Sequence, residues 1–257
     1  MPQLTWLITG CSSGFGELFT RTALARGDRV IATSRSSAST RLTHLKTLGA
    51  TILDLDVTLP QAELNAKIAD AIAIYGSIDV LVNAAGYIEA GMVEELGHER
   101  LLKQLNTNLF GTVNVTRVFE CLRLETASFG ITSILFQLGF FRTKIMDPGN
   151  LGVNLDPDAA IPDYAELNQI VGGFVAQMDK NQPGDPVKAV DVMVDVVRKE
   201  GVAQGREIPE RFPLGSDVLG KIRAKYTRYL GVCDEWEDVI RGTDLEGVER
   251  GEARVNV

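Results

Sequence analysis

The sequence predicts an α/β protein built on a doubly wound parallel sheet. Residues 4–8 (LTWLI), 29–34 (RVIATS), 50–57 (ATILDLDV) and 77–82 (SIDVLV) are short apolar runs, and helical patterns lie between them. Strands alternating with helices place a parallel sheet between two helical layers. The first run passes through Thr9-Gly10 to Gly14 and Gly16 and then straight into a helical pattern. A helix opening after glycines turns its unpaired N–H groups and its positive dipole end toward one point, which suits an anion such as pyrophosphate. The 257 residues suit a single domain, read as 1–257 with a substrate loop and C-terminal helices over 143–241.

Each element has its own signal. Leu18, Phe19, Thr22, Ala23 and Leu24 form one face of a helix over 15–26, which Gly27 closes. A short helix over 40–48 stops at Gly49. Pro60 opens the next helix, where a missing N–H costs nothing, and Leu64, Ile68, Ala71, Ile72 and Tyr75 mark its buried face. One long helical segment is expected from about 95 to 128, then a strand over 131–137. Residues 148–162 are polar and dotted with proline and glycine, long enough for a lid or binding loop. Helices follow over 163–180 and 186–199, the second with Asp185 as N-cap and Pro186 in its first turn. A last edge strand is expected over 206–212, helices over 216–230 and 234–241, and a frayed, charged tail from Gly242.

Composition removes several functions. The chain is 45% hydrophobic and 23% charged with net charge −8, an ordinary globular balance that gives nucleic acid no electrostatic support. No apolar run approaches the roughly 20 residues that span a bilayer. The chain enters a strand at once, without the regions of a secretory signal, so a cytoplasmic location is expected. Cys11, Cys121 and Cys233, with His44 and His98, are too scattered for a metal site or a disulfide framework. Cys11 lies at a helix N-terminus, a place that can lower a thiol pKa, but a small loop residue is the simpler reading. His44 and His98 read as surface residues. Residues 234–238 (DEWED) read as a solvated helix face around one packed Trp.

The second strand ends Thr33-Ser34-Arg35, with no carboxylate. A carboxylate there would bond the ribose 2′-OH of NAD, whereas an arginine fork suits a 2′-phosphate. Arg35, Ser34 and Ser13 therefore favour NADP(H) over NAD(H).

Taken together, these motifs resemble the short-chain dehydrogenase/reductase family, whose fold is a Rossmann-type doubly wound sheet. Thr9, Gly10, Ser12, Ser13, Gly14, Phe15 and Gly16 match its TGxxxGxG cofactor loop, and Asp56-Val57 its adenine-contacting dipeptide. Asn83, Ala84, Ala85 and Gly86 match its NNAG motif with one Asn replaced. The resemblance implies that Asn108 holds a proton-relay water, the one catalytic position retained, and that Arg117, Phe141 and Thr143 contact cofactor. Leu138-Gly139 stands where relatives have Pro-Gly beside the nicotinamide.

In this family a Ser orients the carbonyl, a Tyr exchanges the proton, and a Lys four residues later lowers the Tyr pKa. A phenol with a reference pKa near 10 is a poor base at neutral pH without such a cation. The five tyrosines are followed, four residues on, by Asp79, Gly91, Asn168, Leu230 and Cys233, so none has the lysine. Tyr164 with Lys144 has no supporting spacing, and Tyr164 reads as lining the substrate loop. The resemblance to the family breaks between Val118 and Phe119, where relatives carry about 30 residues or more, the size of one βαβ unit. The fold is therefore expected to be short by about one strand and half a helix, with the 131–137 strand moving in beside the fourth strand to close the gap.

Two functions follow. One is an NADP(H)-dependent oxidoreductase interconverting a carbonyl and an alcohol on a small molecule, impaired here for want of Ser, Tyr and Lys. The other is an inactive NADP(H)-binding pseudoenzyme or a truncated splice product. The resemblance also implies a homo-oligomer, whose usual interface helices flank the break, and some relatives act in secondary metabolism.

Overall fold

The computed structural model describes residues 2–35, 40–118, 130–147, 150–153 and 160–245. Its central sheet is parallel, in the order β3-β2-β1-β4, from β1 (Thr5–Ile8), β2 (Arg29–Ser34), β3 (Thr51–Asp54) and β4 (Val80–Val82). Helices α1 (Gly14–Ala25), α2 (Thr43–Thr47) and α3 (Gln61–Tyr75) make the crossovers. The order reverses at β1, and in open parallel sheets a ligand crevice forms at that switch point.

Side-chain alternation along β1 and β2 builds two cores. Trp6, Ile8, Val30 and Ala32 face Phe19 and Ala23 of α1 and Ala189, Val190, Met193 and Val194 of α7 (Pro186–Arg198). Leu7 and Ile31 face Leu64, Ile68 and Ala71 of α3 and Val115 of α5 (Thr112–Val118). A buried charge cluster ties α7 to the turn after α1. Arg198 Nη1 reaches Asp28 at 2.6 Å, and the same carboxylate accepts from Trp6 Nε1 at 2.8 Å and Leu4 N at 3.0 Å. Arg26 adds contacts of 2.6 Å to both Asp195 and Glu200.

Beyond β4 the chain departs from several expectations. The helix expected from 95 to 128 starts earlier, as α4 (Val93–Leu105), and Gly97 breaks its geometry at φ 68, ψ 168. A π-helical stretch, Asn106–Gly111, joins it to α5, and residues 119–128 lie outside the described residues. Two three-residue strands without a sequence signal, β5 (Ile88–Ala90) and β7 (Leu151–Val153), pair in parallel. The strand expected over 131–137 is β6 (Leu135–Leu138), and the one expected over 206–212 is β8 (Arg211–Leu214).

Closure of the gap is overturned. β6 pairs with β8 in a sheet of its own and does not join β4, which has no ladder partner on its outer side among the described residues. The reason lies at the C-terminal end of β6. Gly139 N bonds Leu214 O at 2.8 Å, and Phe140 N bonds Asp217 Oδ2 at 3.0 Å in the first turn of α8 (Ser216–Glu235). These bonds commit β6 to β8. The remaining helices are α6 (Ala165–Met178) and α9 (Glu237–Arg241). No helix among the described residues is long and apolar enough to cross a membrane, and no cluster among them could hold a metal ion.

Candidate active site

A cleft of about 800 Å³ opens at the C-terminal ends of the strands, within the size range of cofactor sites. Its floor is the turn after β1. Gly10 has φ +70, and a Cβ there would lie 2.7 Å from Ala85 Cα and 2.9 Å from Ala84 O, so only glycine fits. A Cβ on Gly16 would meet Gly10 O at 2.5 Å, which packs the helix start onto the turn. Thr9 Oγ1 accepts from Ala84 N and Ala85 N, each at 3.1 Å, and locks the turn to the end of β4.

The N-cap of α1, Ser13, makes no side-chain capping bond, so the first N–H groups of α1 keep their donors for a ligand. Ser12, Ser13, Gly14 and Phe15 all line the cleft. The end of the cleft beyond β2 and β3 is lined by Ser34, Arg35, Asp56 and Val57. Asp56 Oδ1 accepts from Thr58 N at 2.9 Å and Thr58 Oγ1 at 2.7 Å, which fixes the turn after β3. Ala84, Ala85 and Gly86 form one wall, and Leu138, Gly139, Phe141 and Thr143 the opposite one. Phe141 packs edge-on against Phe15 with ring centres 5.7 Å apart, and Thr143 Cβ lies 3.8 Å from where a Gly14 Cβ would project.

Five expected residues are not in the lining. Thr9 and Gly16 act beneath it, as described. Asn83 Nδ2 donates to Thr116 Oγ1 at 3.0 Å and ties β4 to α5. Asn108 spends its amide on the backbone of Tyr87: Oδ1 accepts from Tyr87 N at 3.1 Å and Nδ2 donates to Tyr87 O at 2.8 Å. It does so from the π-helical stretch, a distortion frequent at functional sites. Arg117 belongs to α5, and its side chain lies outside the described residues.

The structure adds lining residues that sequence reading missed. Arg41 joins Arg35 among the lining residues, as do Lys103, Tyr87 and Gln182. A second arginine six residues past Arg35 was the only available signal for any of these. Tyr87 is the one tyrosine in the lining; its hydroxyl is buried without a partner among the described residues. Burial, then the charge of Glu89, pushes its pKa above the usual phenol value, opposite to the effect of a neighbouring lysine.

The other tempting groups are settled by geometry. Burial pushes the Cys11 thiol up to about 12, and Cys11 Sγ donates to Ile8 O at 3.2 Å, so it is no nucleophile. Tyr164 does not line the cleft: its hydroxyl donates to Glu94 Oε2 at 2.6 Å, and that bond raises its pKa. Glu95 accepts from Ile161 N at 3.0 Å and from Asn168 Nδ2, which holds its carboxyl below the usual range and pins α6 to α4. His44 is on the surface but paired with Glu17 Oε1 at 3.1 Å.

The short chain dehydrogenase family model matches residues 5–128. A Streptomyces violaceoruber relative, named for a ketoacyl reductase of granaticin polyketide synthase, is 32% identical over 248 positions covering 89% of this chain and 86% of its own. The chain is a short-chain dehydrogenase/reductase. Within that family it is similar to the uncharacterized oxidoreductase YusZ of Bacillus subtilis, 26% identical over 287 positions covering 91% of this chain and 96% of YusZ. A crystal structure of a short-chain dehydrogenase from Streptomyces avermitilis matches with TM-score 0.79 at 28% identity, over 95% of this chain and all of that one.

Proposed function

We propose that this short-chain dehydrogenase/reductase binds NADP(H) in the cleft with little or no carbonyl reduction of its own. The observation that carries the reading is the α1 N-terminus, uncapped by any side chain and opening on a cleft whose adenosine end holds two arginines and no carboxylate beside β2. The N–H groups from Ser13 onward take the pyrophosphate. Arg35, Arg41 and Ser34 take the 2′-phosphate, where an arginine fork gives paired charge-assisted bonds. Leu55, Asp56 and Val57 flank the adenine. The nicotinamide, when bound, supplies hydride transfer.

The chain's own residues supply little of the proton chemistry. Asn108 is engaged by the Tyr87 backbone, and the Tyr87 phenol is held protonated by burial, with its pKa raised where catalysis at neutral pH needs it lowered. The length of the YusZ alignment is in keeping with residues missing here relative to that protein. The YusZ match uses 91% of 257 residues over 287 positions, so about 53 positions of YusZ have no counterpart here. The alternative reading, an active oxidoreductase on a small molecule, belongs to a chain that carries that segment.

Fluorescence titration with NADPH and NADH tests the proposal. Saturable binding that prefers NADPH, with no NADPH oxidation across a carbonyl panel, is the expected result. Preference for NADH would remove the roles of Arg35 and Arg41. Turnover at an ordinary rate of about 1–10³ s⁻¹ would remove the pseudoenzyme reading. Transcript sequencing across the codons of Val118 and Phe119 tests the splice origin: a restored Tyr-x-x-x-Lys segment makes this chain a variant product of an enzyme gene.

A further inference from the structure

Gln182 is 2% exposed, yet neither Oε1 nor Nε2 has a hydrogen-bond partner among the described residues, and the residue lines the cleft. A buried amide with both ends unmet carries a desolvation cost that native structures rarely leave uncompensated. Its place in the cleft is fixed by backbone pairing. Gly184 N bonds Phe140 O at 2.9 Å, Arg142 N bonds Gly184 O at 3.0 Å, and Arg142 Nη2 donates to Gln182 O at 3.4 Å. Segment 182–184 is thereby strapped to the wall that runs from Leu138 to Thr143. Ser34, Arg35 and Asp56 mark the adenosine end and Gly14 the middle, so this wall borders the third part of the cleft.

The chemistry of the orphan atoms selects the ligand group. A phosphate or a carbonyl oxygen only accepts, and would leave Oε1 unmet. A primary carboxamide accepts through its oxygen and donates through its NH₂, so it satisfies both ends of Gln182 in one cyclic pair of hydrogen bonds. The nicotinamide of NADP(H) carries such a group. We infer that Gln182 is a positioning residue for the nicotinamide carboxamide, paired amide to amide across the cleft. The inference rests on the NADP(H) reading above and gives this chain a side-chain hold on the ring at the wall where Leu138 replaces the family's proline.

Calorimetric titration of the full chain with three ligands tests it: NADP⁺, its 3-acetylpyridine analogue, which keeps the carbonyl but lacks the NH₂, and adenosine 2′,5′-bisphosphate, which lacks the nicotinamide. The wild type should bind NADP⁺ about tenfold or more tighter than the analogue, because the analogue leaves Oε1 unpaired. Gln182→Leu should weaken NADP⁺ ten- to hundredfold, bind NADP⁺ and the analogue alike, and hold the bisphosphate within about twofold of the wild type. Gln182→Met, close in volume, guards against a packing fault in the leucine variant, and both should melt no lower than wild type, since the orphan amide is gone. Unchanged NADP⁺ affinity or unchanged discrimination in both variants overturns the assignment. So does a loss of bisphosphate binding equal to the loss of NADP⁺ binding, which would make Gln182 structural. A wild type that binds neither the bisphosphate nor NADP⁺ overturns the functional reading itself, and this assignment with it.

Discussion

Gly10→Ala should destabilise this chain strongly. Gly10 sits at φ +70, and a left-handed conformation costs a residue with a Cβ about 1–2 kcal/mol. The new Cβ would also meet Ala85 Cα at 2.7 Å, Ala85 N at 2.8 Å and Ala84 O at 2.9 Å, all backbone atoms that cannot rotate away. To clear them the end of β4 must withdraw, which stretches the bonds from Ala84 N and Ala85 N to Thr9 Oγ1, now 3.1 Å each. Two weakened hydrogen bonds add roughly 1–3 kcal/mol. The sum is about 2–5 kcal/mol, a large share of a total stability of about 5–15 kcal/mol. In a domain of this size that lowers Tm by roughly 5–20 °C. Urea unfolding read by Trp6, which is wholly buried, gives the loss, and NADPH titration below the transition should show affinity falling at least tenfold as the turn shifts. A variant within about 1 kcal/mol of wild type that binds NADPH normally would refute the reasoning, because it would mean the turn and the end of β4 are free to move apart.

Arg198→Met leaves Asp28 buried without its cation, held only by Trp6 Nε1 and Leu4 N, and should cost about 3–5 kcal/mol in urea unfolding, with part recovered by adding Asp28→Asn. Arg35→Ser should reduce the NADPH-over-NADH affinity ratio by roughly ten- to a hundredfold, since bonds to a charged group contribute about 1.5–3 kcal/mol; an unchanged ratio would move the 2′-phosphate away from this end. Acid should destabilise the fold as pH falls from about 4 downward, followed by circular dichroism. Burial raises the Asp195 pKa, but the bond from Arg26, the N–H of Val202 and the Arg26 charge more than offset it, and hydrogen bonds from Ile161 and Asn168 lower that of Glu95. Both carboxyls are depressed by folding, so their stabilisation is present above the ordinary carboxylate pKa and is lost as they take protons. Cys11 in the native protein should resist a maleimide at pH 7.5 for hours and react at once in denaturant, because its thiol is fully buried with its pKa up at about 12.

The parts of the site that were legible in the sequence are local ones. The glycine turn can be read because strand, turn and helix start lie within thirteen residues, and each glycine there answers a backbone demand. The place of Arg35 in the cleft was legible because it directly follows β2, at the sheet edge where the crevice opens. Gln182 was not, because it enters the cleft through pairing between segments 140–142 and 182–184, forty residues apart. β5 and β7 are three residues each, too short to carry a period. The fate of β6 was misjudged for a related reason. Its apolar run says only that it is a strand, while the bonds from Gly139 and Phe140 to Leu214 and Asp217 choose its neighbour.

The outer side of β4 has a further consequence. A strand paired on one side only is a template that another extended chain can copy. Nothing in Val80-Leu81-Val82 discourages this: the three carry no charge and no proline, and β-branched residues stand at both ends. The hazard is therefore one of handling and of cellular abundance. The soluble yield of this chain should depend on its concentration during folding, with dilution and low expression temperature favouring the correctly folded product. An arginine-rich buffer should raise recovery without touching the cleft.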